Sequence, residues 1–283
     1  MVLESLINPL KAEKTPWEMF FLGFVYCSVA ILLSLWIFKD QASLIMVFFT
    51  VMACLPIVYN TMKLEESKDL EISQERALLK EHNKAIVFLM FLFFGITLSF
   101  VAWYVFLPSE TLNFVFDKQT ATIQSINNQV SGQAYQQFST FSRIFLNNIK
   151  VLTFAVLFAF IYGAGAIFIL TWNASVIGTA IGNFIRSNLS QYAGLLGFEK
   201  FSSYFSVVSI GLLRYILHGI PEILAYFYGG LAGGIISVAI VKKHYKHKKF
   251  SHILFDISEL LIISVAFLLV AAFIEVYITP MLF

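Results

Sequence analysis

Two carboxylates and a histidine interrupt the apolar C-terminal half of the chain. His218 and Glu222 flank Gly219 and Pro221, and Glu275 lies near the end of the last apolar stretch. An ionisable group within hydrocarbon is costly and usually faces the interior of a helical bundle or a water-filled cavity. Proline lacks a backbone donor, so we expect it to interrupt the helix between His218 and Glu222. This segment is therefore the leading candidate for a functional site.

The same groups permit a structural and a functional interpretation. If Pro221 opens a new helix, Glu222 lies in its first turn, where the helix dipole stabilises a carboxylate at the membrane edge. Glu275 could then pair with Arg214 or His218 and fix the bundle. Alternatively, the groups form a transport or proton-linked site, or they bind a partner. The predicted polar cluster consists of Asn173, Arg214, His218, Glu222 and Glu275.

No sequence motif indicates catalysis. The chain has no Walker A loop, GxSxG, HExxH or CxxC pair. His244, His247 and His252 have irregular spacing beside five lysines that would repel a cation, so anchoring at the membrane or contact with anionic lipid explains them better. Cys27 and Cys54 lie in apolar runs as small buried residues. We expect no catalytic residue, no metal ion and no cofactor, and hence no enzyme.

Composition indicates a membrane protein. The chain is 59% hydrophobic and 13% charged, against about 45–50% and about 25% in soluble domains. A membrane span needs about 20 apolar residues, and seven runs approach that length. The fifth run is short, and the fifth and sixth could instead be the two halves of a broken-helix pair. The stretch 173–186 is too short to cross and is expected to lie in the interface or to re-enter. The prediction is an all-α polytopic transmembrane helical bundle of six to seven spans, one of them broken by Gly and Pro. The seven runs are 17–38, 43–59, 85–107, 151–172, 203–217, 221–241 and 253–278.

Lysine and arginine distribution predicts the orientation. Three basic regions, at Lys11 and Lys14, at 63–84 and at 242–249, hold 12 of the 19 basic residues. The positive-inside rule places them in the cytoplasm. We predict a multi-pass protein of the plasma membrane with a cytoplasmic N-terminus, in which residues 1–283 form one membrane domain.

Two polar regions separate the spans. Residues 63–84, between the second and third of the first three spans (17–107), contain no Gly or Pro. They predict a charged cytoplasmic helix that is either a solvated face or a docking surface for a partner. Residues 108–148 are polar, nearly uncharged and external, and predict an amphipathic helical hairpin or a loose cap. About 40 residues are too few for a core of their own, so a catalytic external domain is not expected.

Small residues at four-residue spacing predict close helix packing. Gly163 and Gly165 lie in an apolar run and are expected to pack helices together. The pairs Gly178 with Gly182, Gly229 with Gly233, and Gly230 with Gly234 form GxxxG patterns. Such patterns let helix backbones approach closely, either within one chain or between two copies.

An ordered set of motifs in residues 145–283 resembles the stage II sporulation protein M family. The set runs from Asn147-Asn148 through Gly163-Ala164-Gly165, Leu170 to Asn173, Ile177-Gly178 and His218 to Glu222, and ends at Ile274 to Pro280. Two positions depart from the family pattern: Ala174 stands where glycine is usual, and Leu217 where proline is usual. The resemblance implies a non-enzymatic membrane scaffold, because namesake members help to localise cell-wall hydrolases during engulfment. A sporulation role does not follow for this chain.

The predicted function is therefore a membrane scaffold that recruits or positions partner proteins in envelope or membrane remodelling. The expected partners are the lipid bilayer, a membrane or envelope protein and a second copy of the chain, with no nucleic acid. The alternative is a transporter or permease for a lipid, an ion or a small solute, with Glu222, His218 and Glu275 lining its site. A discontinuous helix beside a carboxylate is a recurring transporter feature.

Overall fold

A computed structural model describes residues 9–72, 74–130, 137–162, 165–192, 197–246 and 250–282. These residues are almost entirely helical and contain no strand, which confirms the all-α prediction. The helices are α1 (Pro9–Lys14), α2 (Pro16–Ile37), α3 (Ala42–Glu71), α4 (Glu75–Phe106), α5 (Ser109–Val115), α6 (Asp117–Val130), α7 (Gln137–Tyr162), α8 (Ala166–Leu189), α9 (Gly197–Val241), α10 (Phe250–Phe273) and α11 (Thr279–Leu282). A π-helical turn, Ile274–Ile278, joins α10 to α11.

Seven of the described helical segments are long and apolar enough to cross a membrane. The number agrees with the prediction, but three of the assignments differ from it, and two of these concern α7 and α8. The run 151–172 is not one span, because α7 ends at Tyr162 and α8 starts at Ala166. The stretch 173–186, expected to be too short, belongs to the span Ala166–Tyr192. Hydropathy missed this span because α8 carries polar residues on the face that packs inside the bundle.

Helix α9 is continuous through Pro221, so the expected break is absent from this part of the chain. The runs 203–217 and 221–241 are two parts of a single helix of 45 residues. Proline leaves one carbonyl of the preceding turn without its helical donor, and packing against neighbouring helices compensates for that loss within a membrane. Ile223, Ala225 and Tyr226 are buried directly after Pro221, which places this part of α9 in the bundle core.

Helix α2 has its small residues facing inward and its large residues facing outward. Gly23, Cys27 and Ser34 are buried, whereas Phe21, Val25 and Trp36 are exposed. This distribution is typical of membrane helices, because lipid solvates large apolar side chains and small residues permit close backbone contact. The outward face of α2 is therefore a lipid-facing surface.

The two ends of the bundle differ in chemistry. At the basic end, Lys242 and His244 after α9 contact Glu66 of α3, and Lys68 contacts Glu13 of α1. At the opposite end, α5 and α6 follow the last turn of α4. These two short helices are called the cap, and this end of the bundle is called the cap end. There, Arg186 of α8 donates hydrogen bonds to the backbone oxygen of Leu107 at 2.6 Å and to Ser109 Oγ at 2.8 Å. The three basic regions of the sequence thus meet at one end of the bundle.

The charged segment 63–84 is not one helix, and it is only partly exposed. Helix α3 ends at Glu71 and α4 begins at Glu75, so the segment consists of two helix ends. Glu65, Glu66 and His82 are fully buried within it. The composition of this segment suggested that its charged side chains are solvated. Composition does not show which carboxylates pair with a basic group in the fold, and such pairing permits burial.

The predicted packing glycines lie against neighbouring helices of the same chain. A β-carbon added to Gly233 would lie 2.5 Å from the Val156 oxygen, and one added to Gly229 would lie 2.3 Å from Leu152 Cδ1. Gly178 and Gly182 approach α4 about as closely. Gly165 lies against α7, and Gly230 lies against α8. Gly234 is buried. Gly163 lies outside the described residues. The GxxxG face of α9 is thus covered by α7 and α8, which leaves it unable to act as a self-association surface.

Candidate functional site

A polar cavity of about 260 Å³ lies between α7, α8, α9 and the π-helical turn. Four of the predicted cluster residues, Asn173, His218, Glu222 and Glu275, line it. The side chain of the fifth, Arg214, lies outside the described part of the structure. Sequence reasoning placed Asn147 and Asn148 in the family motif and at a span end, and the cavity includes both. The polar lining residues are Arg143, Asn147, Asn148, Asn173, Tyr215, His218, Glu222 and Glu275.

Glu222 lies in the interior of α9 and not at a helix start. Its Oε1 accepts a hydrogen bond from the Tyr226 hydroxyl at 2.7 Å, one turn further along the same face. The interpretation of Glu222 as a helix-capping carboxylate was therefore wrong, because α9 begins at Gly197. Glu222 instead projects from a continuous helix into the polar cavity.

Glu275 lies in the π-helical turn Ile274–Ile278. Thr279 Oγ1 donates a hydrogen bond to the Ile274 oxygen at 3.1 Å across this turn. Wider turns of this kind are rare, and they are frequent at functional sites. Here the turn brings Glu275 to the same cavity as Glu222.

Two amide groups supply donors to the polar cavity. Asn148 is only 6% exposed, and among the described residues the side-chain nitrogens of Asn148 and Asn173 have no hydrogen-bond partner. A buried donor without an acceptor costs about 1–3 kcal/mol. Carboxylates and amide donors together suit a small ligand that offers both a cationic or donor group and an acceptor.

An apolar cavity of about 420 Å³ adjoins the polar one. The two cavities share Ile177, Tyr215 and Gly219 in their linings. The apolar cavity is otherwise lined by aromatic and aliphatic side chains of α2, α4, α8 and α9, among them Phe20, Phe94 and Leu212. The pair of cavities therefore offers polar and apolar surfaces side by side.

The residues that line the polar cavity are suited to binding a polar group. Its described lining contains no serine, cysteine or lysine to serve as a nucleophile. The two cysteines of the chain are buried elsewhere, in α2 and α3. Tyrosine, asparagine and glutamate at this spacing can hold a polar group by hydrogen bonds, which is the typical role of the few polar groups in a ligand pocket.

A second cluster of ionisable groups lies at the basic end, and sequence reasoning missed it. Lys68 Nζ donates to Glu13 Oε1 and to Glu65 Oε1, each at 2.8 Å. Glu66 accepts from Lys242 Nζ at 2.7 Å and contacts His244. Burial raises the pKa of the Glu13 carboxyl group, and the neighbouring Lys68 ammonium partly offsets this effect. These contacts join α1, α3 and the segment after α9.

The centre of that cluster contains one histidine and three carboxylates. His82 Nδ1 lies 2.7 Å from Glu65 Oε2, and its Nε2 lies 3.0 Å from Asp256 Oδ2 and 3.1 Å from Asp69 Oδ1. Asp69, His82 and Asp256 each offer one atom that could bind a metal ion, and these atoms lie within 4.8 Å of one another. The residues are far apart in sequence, so no local spacing could have identified them. The only signal was the presence of carboxylates and a histidine at the ends of apolar runs.

Comparison with known proteins identifies the family of this chain. A sequence model of the family described as stage II sporulation protein M matches residues 85–280. No curated protein and no solved structure matches the chain. The family match spans the polar cavity and covers more than half of the sequence, which confirms the expected resemblance. The chain is therefore a multi-pass membrane protein that belongs to the stage II sporulation protein M family.

Proposed function

We propose that this protein is a non-enzymatic membrane scaffold that positions a partner protein at the cap end. Family membership supports this proposal, and the observation that carries it is the attachment of α5 and α6 to the bundle. Val115 and Phe116, at the junction of the two short helices, are buried. Gln119 of α6 donates hydrogen bonds to the Ser43 oxygen at 3.0 Å and to Ser175 Oγ at 3.2 Å.

The attached cap presents a polar surface. Asp117, Lys118 and Gln124 of α6 are exposed on the helix whose other face contacts α3 and α8. A surface that is already ordered loses less conformational entropy when a partner binds. Positioning of an envelope or membrane protein therefore fits this end of the molecule better than catalysis does.

Retention of a partner by the full-length protein tests the scaffold proposal. The protein is purified from native membranes in nanodiscs, and every retained protein is identified and quantified by mass spectrometry. We expect one partner in stoichiometric amount with the wild type, and loss of that partner with the double variant Lys118→Glu and Gln124→Glu. The control Lys84→Glu changes an exposed charge at the basic end and should retain the partner.

Two outcomes would contradict the scaffold proposal. One is a wild-type protein that carries no partner in stoichiometric amount. The other is a partner that remains bound to the cap variant as well as to the control. That result would show that the exposed face of the cap does not bind the partner.

The paired cavities favour a second candidate function, a transporter or permease for an amphiphile. A ligand with a polar head and an apolar tail could place its head beside Glu222 and Glu275 and its tail in the adjoining apolar cavity. This candidate no longer relies on a broken helix, because α9 is continuous. It relies on partly buried carboxylates and amides that face a cavity within the membrane domain, where polar groups commonly mark a substrate pathway.

We also propose that the basic end faces the cytoplasm of a cell whose plasma membrane holds the protein. The three basic regions meet at this end, and the positive-inside rule places such regions in the cytoplasm. The cap would then be external, on the side where envelope partners lie.

A further inference from the structure

The geometry at the basic end points to a metal site: we propose that Asp69, His82 and Asp256 together bind one divalent transition-metal ion such as Zn²⁺. The three residues come from α3, α4 and α10. All three are buried, with exposed fractions of 1%, 0% and 1%. The site lies apart from the polar cavity and from the cap.

The orientation of the His82 ring is the first argument. Its Nδ1 is 2.7 Å from Glu65 Oε2, so a hydrogen on Nδ1 is donated to that carboxylate. The lone pair of Nε2 then faces Asp69 and Asp256. Histidine ligands of metals usually donate their other ring N–H to a carboxylate, which fixes the ring and strengthens the ligand. Glu65 is therefore a positioning residue.

The distances are the second argument. Zn²⁺ binds nitrogen and carboxylate oxygen at about 2.0–2.2 Å, so two ligand atoms on one ion are separated by about 3 Å at ordinary coordination angles. Nε2 of His82 is 3.0 Å from Asp256 Oδ2 and 3.1 Å from Asp69 Oδ1. All three ligand atoms lie within 4.8 Å of one another, and rotation of the two carboxylates would bring them to one ion.

Asp69 provides an independent observation. Within the described residues, neither of its carboxylate oxygens has a hydrogen-bond partner, although both are buried. His82 Nε2 makes its hydrogen bond to Asp256, whereas Asp69 Oδ1 lies 3.1 Å from the same nitrogen as an ion-pair contact only. Burying a carboxylate whose oxygens accept no hydrogen bond is costly, and a metal ion bound by both aspartates removes that cost.

The charge balance also favours a divalent cation. Among the described residues, Glu13, Glu65, Asp69 and Asp256 contribute four carboxylates, and the basic groups in ion-pair contact with them are Lys68 and His82. Lys68 makes a further contact of 3.7 Å to Glu81, which is partly exposed. Carboxylates thus outnumber basic groups in this buried cluster, which leaves a net negative charge that a divalent cation would neutralise. Imidazole among the ligands favours a transition metal over Ca²⁺ or Mg²⁺, which prefer oxygen alone.

The bound ion would tie the N-terminal part of the chain to the part that carries the family match. Asp69 and His82 precede residue 85, and Asp256 lies within the matched region. The ion would hold the ends of α3, α4 and α10 together where they approach the basic end.

Metal titration of the full-length protein tests this proposal. Protein without a histidine tag is placed in nanodiscs, treated with a chelator and titrated with Zn²⁺, and binding is measured by calorimetry and elemental analysis. We expect one Zn²⁺ per chain and a rise in Tm that an equal concentration of Mg²⁺ does not produce. Asp69→Asn should lose the bound ion and the Zn²⁺-dependent rise in Tm.

Three further variants define the site. Glu81→Gln removes a partly exposed carboxylate at the same end and should still bind one ion, as should His244→Gln, which removes a histidine of the basic loop. Glu65→Gln should weaken binding by about 10- to 100-fold, as expected when the carboxylate behind a histidine ligand is lost. Co²⁺ bound to Glu65→Gln should keep the visible absorption of the wild-type site, because the three ligands remain.

The proposal is overturned if wild type and Asp69→Asn bind equal amounts of Zn²⁺, or if His244→Gln alone removes the binding. If Asp69→Asn does not fold, Asp256→Asn serves in its place. The proposal is also overturned if the wild-type protein binds far less than one Zn²⁺ per chain.

Discussion

Glu222 illustrates what a single residue does in this bundle. Its carboxylate accepts a hydrogen bond from Tyr226 on the same helix and faces the polar cavity together with Glu275. A hydrogen bond from a tyrosine holds the carboxylate in one orientation and leaves its other lone pairs facing the cavity. Two carboxylates in one small cavity repel each other unless a cation, a donor or a proton lies between them.

Glu222→Gln tests the transport candidate at the scale of one residue. A hydrogen bond to a charged group contributes about 1.5–3 kcal/mol, so we expect flux of an amine-bearing phospholipid analogue through proteoliposomes to fall by roughly ten-fold or more. The variant should fold, because glutamine still accepts the Tyr226 hydrogen bond. Glu110→Gln, at the exposed start of α5, is the control and should leave flux unchanged. A wild-type protein without flux, or a variant with wild-type flux, excludes the polar cavity as a transport pathway.

At the scale of helices, α2 and α4 form a crossing that depends on two glycines. A β-carbon on Gly23 would lie 2.3 Å from the Leu92 oxygen, and one on Gly95 would lie 1.9 Å from the Phe20 oxygen. Polar contacts accompany this approach: Ser28 and Ser99 are hydrogen-bonded at 3.0 Å, and Trp103 Nε1 donates to Ser28 at 3.0 Å. Small residues and hydroxyl groups are the usual means of helix association in lipid.

Gly95→Ala should destabilise the protein. The added methyl group meets a backbone oxygen, which a side-chain rotation cannot relieve, so we expect a loss of about 1–3 kcal/mol in unfolding free energy, as for other overpacked interiors. The measurement is unfolding of the detergent-solubilised protein in increasing SDS, followed by circular dichroism. Gly219→Ala is the matched control, because nothing lies within 4 Å of its β-carbon position, and alanine there should be neutral or stabilising by up to about 1 kcal/mol. Equal stability of the two variants would contradict the close crossing.

At the scale of the whole molecule, the two ends are held together by different kinds of contact. The basic end joins α1, α3, α4, α10 and the segment after α9 through buried ion pairs, whereas the cap end has short helices attached by apolar contacts and by Gln119 and Arg186. Between them lie the seven spans and the polar cavity. A basic end fixed by ion pairs and an ordered cap end are both consistent with the proposed scaffold.

Cysteine accessibility tests the orientation of the whole molecule. In a background of Cys27→Ala and Cys54→Ala, we expect Lys118→Cys and Gln191→Cys to react with an impermeant maleimide in intact cells, and Lys246→Cys to react only after permeabilisation. The expectation follows from the positive-inside rule and from the crossing of α8. Reaction of Gln191→Cys only after permeabilisation would show that α8 does not cross. If all three positions show the opposite reactivity, the protein is inserted in the membrane in the opposite orientation.

The sequence by itself determined that the chain is an all-α membrane protein of this family, because both conclusions depend on features that are local along the chain. Apolar runs long enough to span a membrane identify an all-α membrane protein. The ordered motifs from Asn147 to Pro280 indicate the family, and the family match confirms it. Asn173, His218, Glu222 and Glu275 could be chosen in advance because ionisable and amide groups are rare within apolar sequence.

Only the tertiary structure decided which helices cross and which polar groups meet. Pro221 was expected to end a helix, but packing on both sides of α9 stabilises the helix through it, and local propensity cannot include that packing. The segment 63–84 was expected to be a solvated face or a docking surface, yet its Glu65 and His82 are buried in contact with each other. His82 also contacts Asp256, 174 positions away in the sequence. Contacts between such distant residues depend on how helices pack, and no spacing within one helix contains that information.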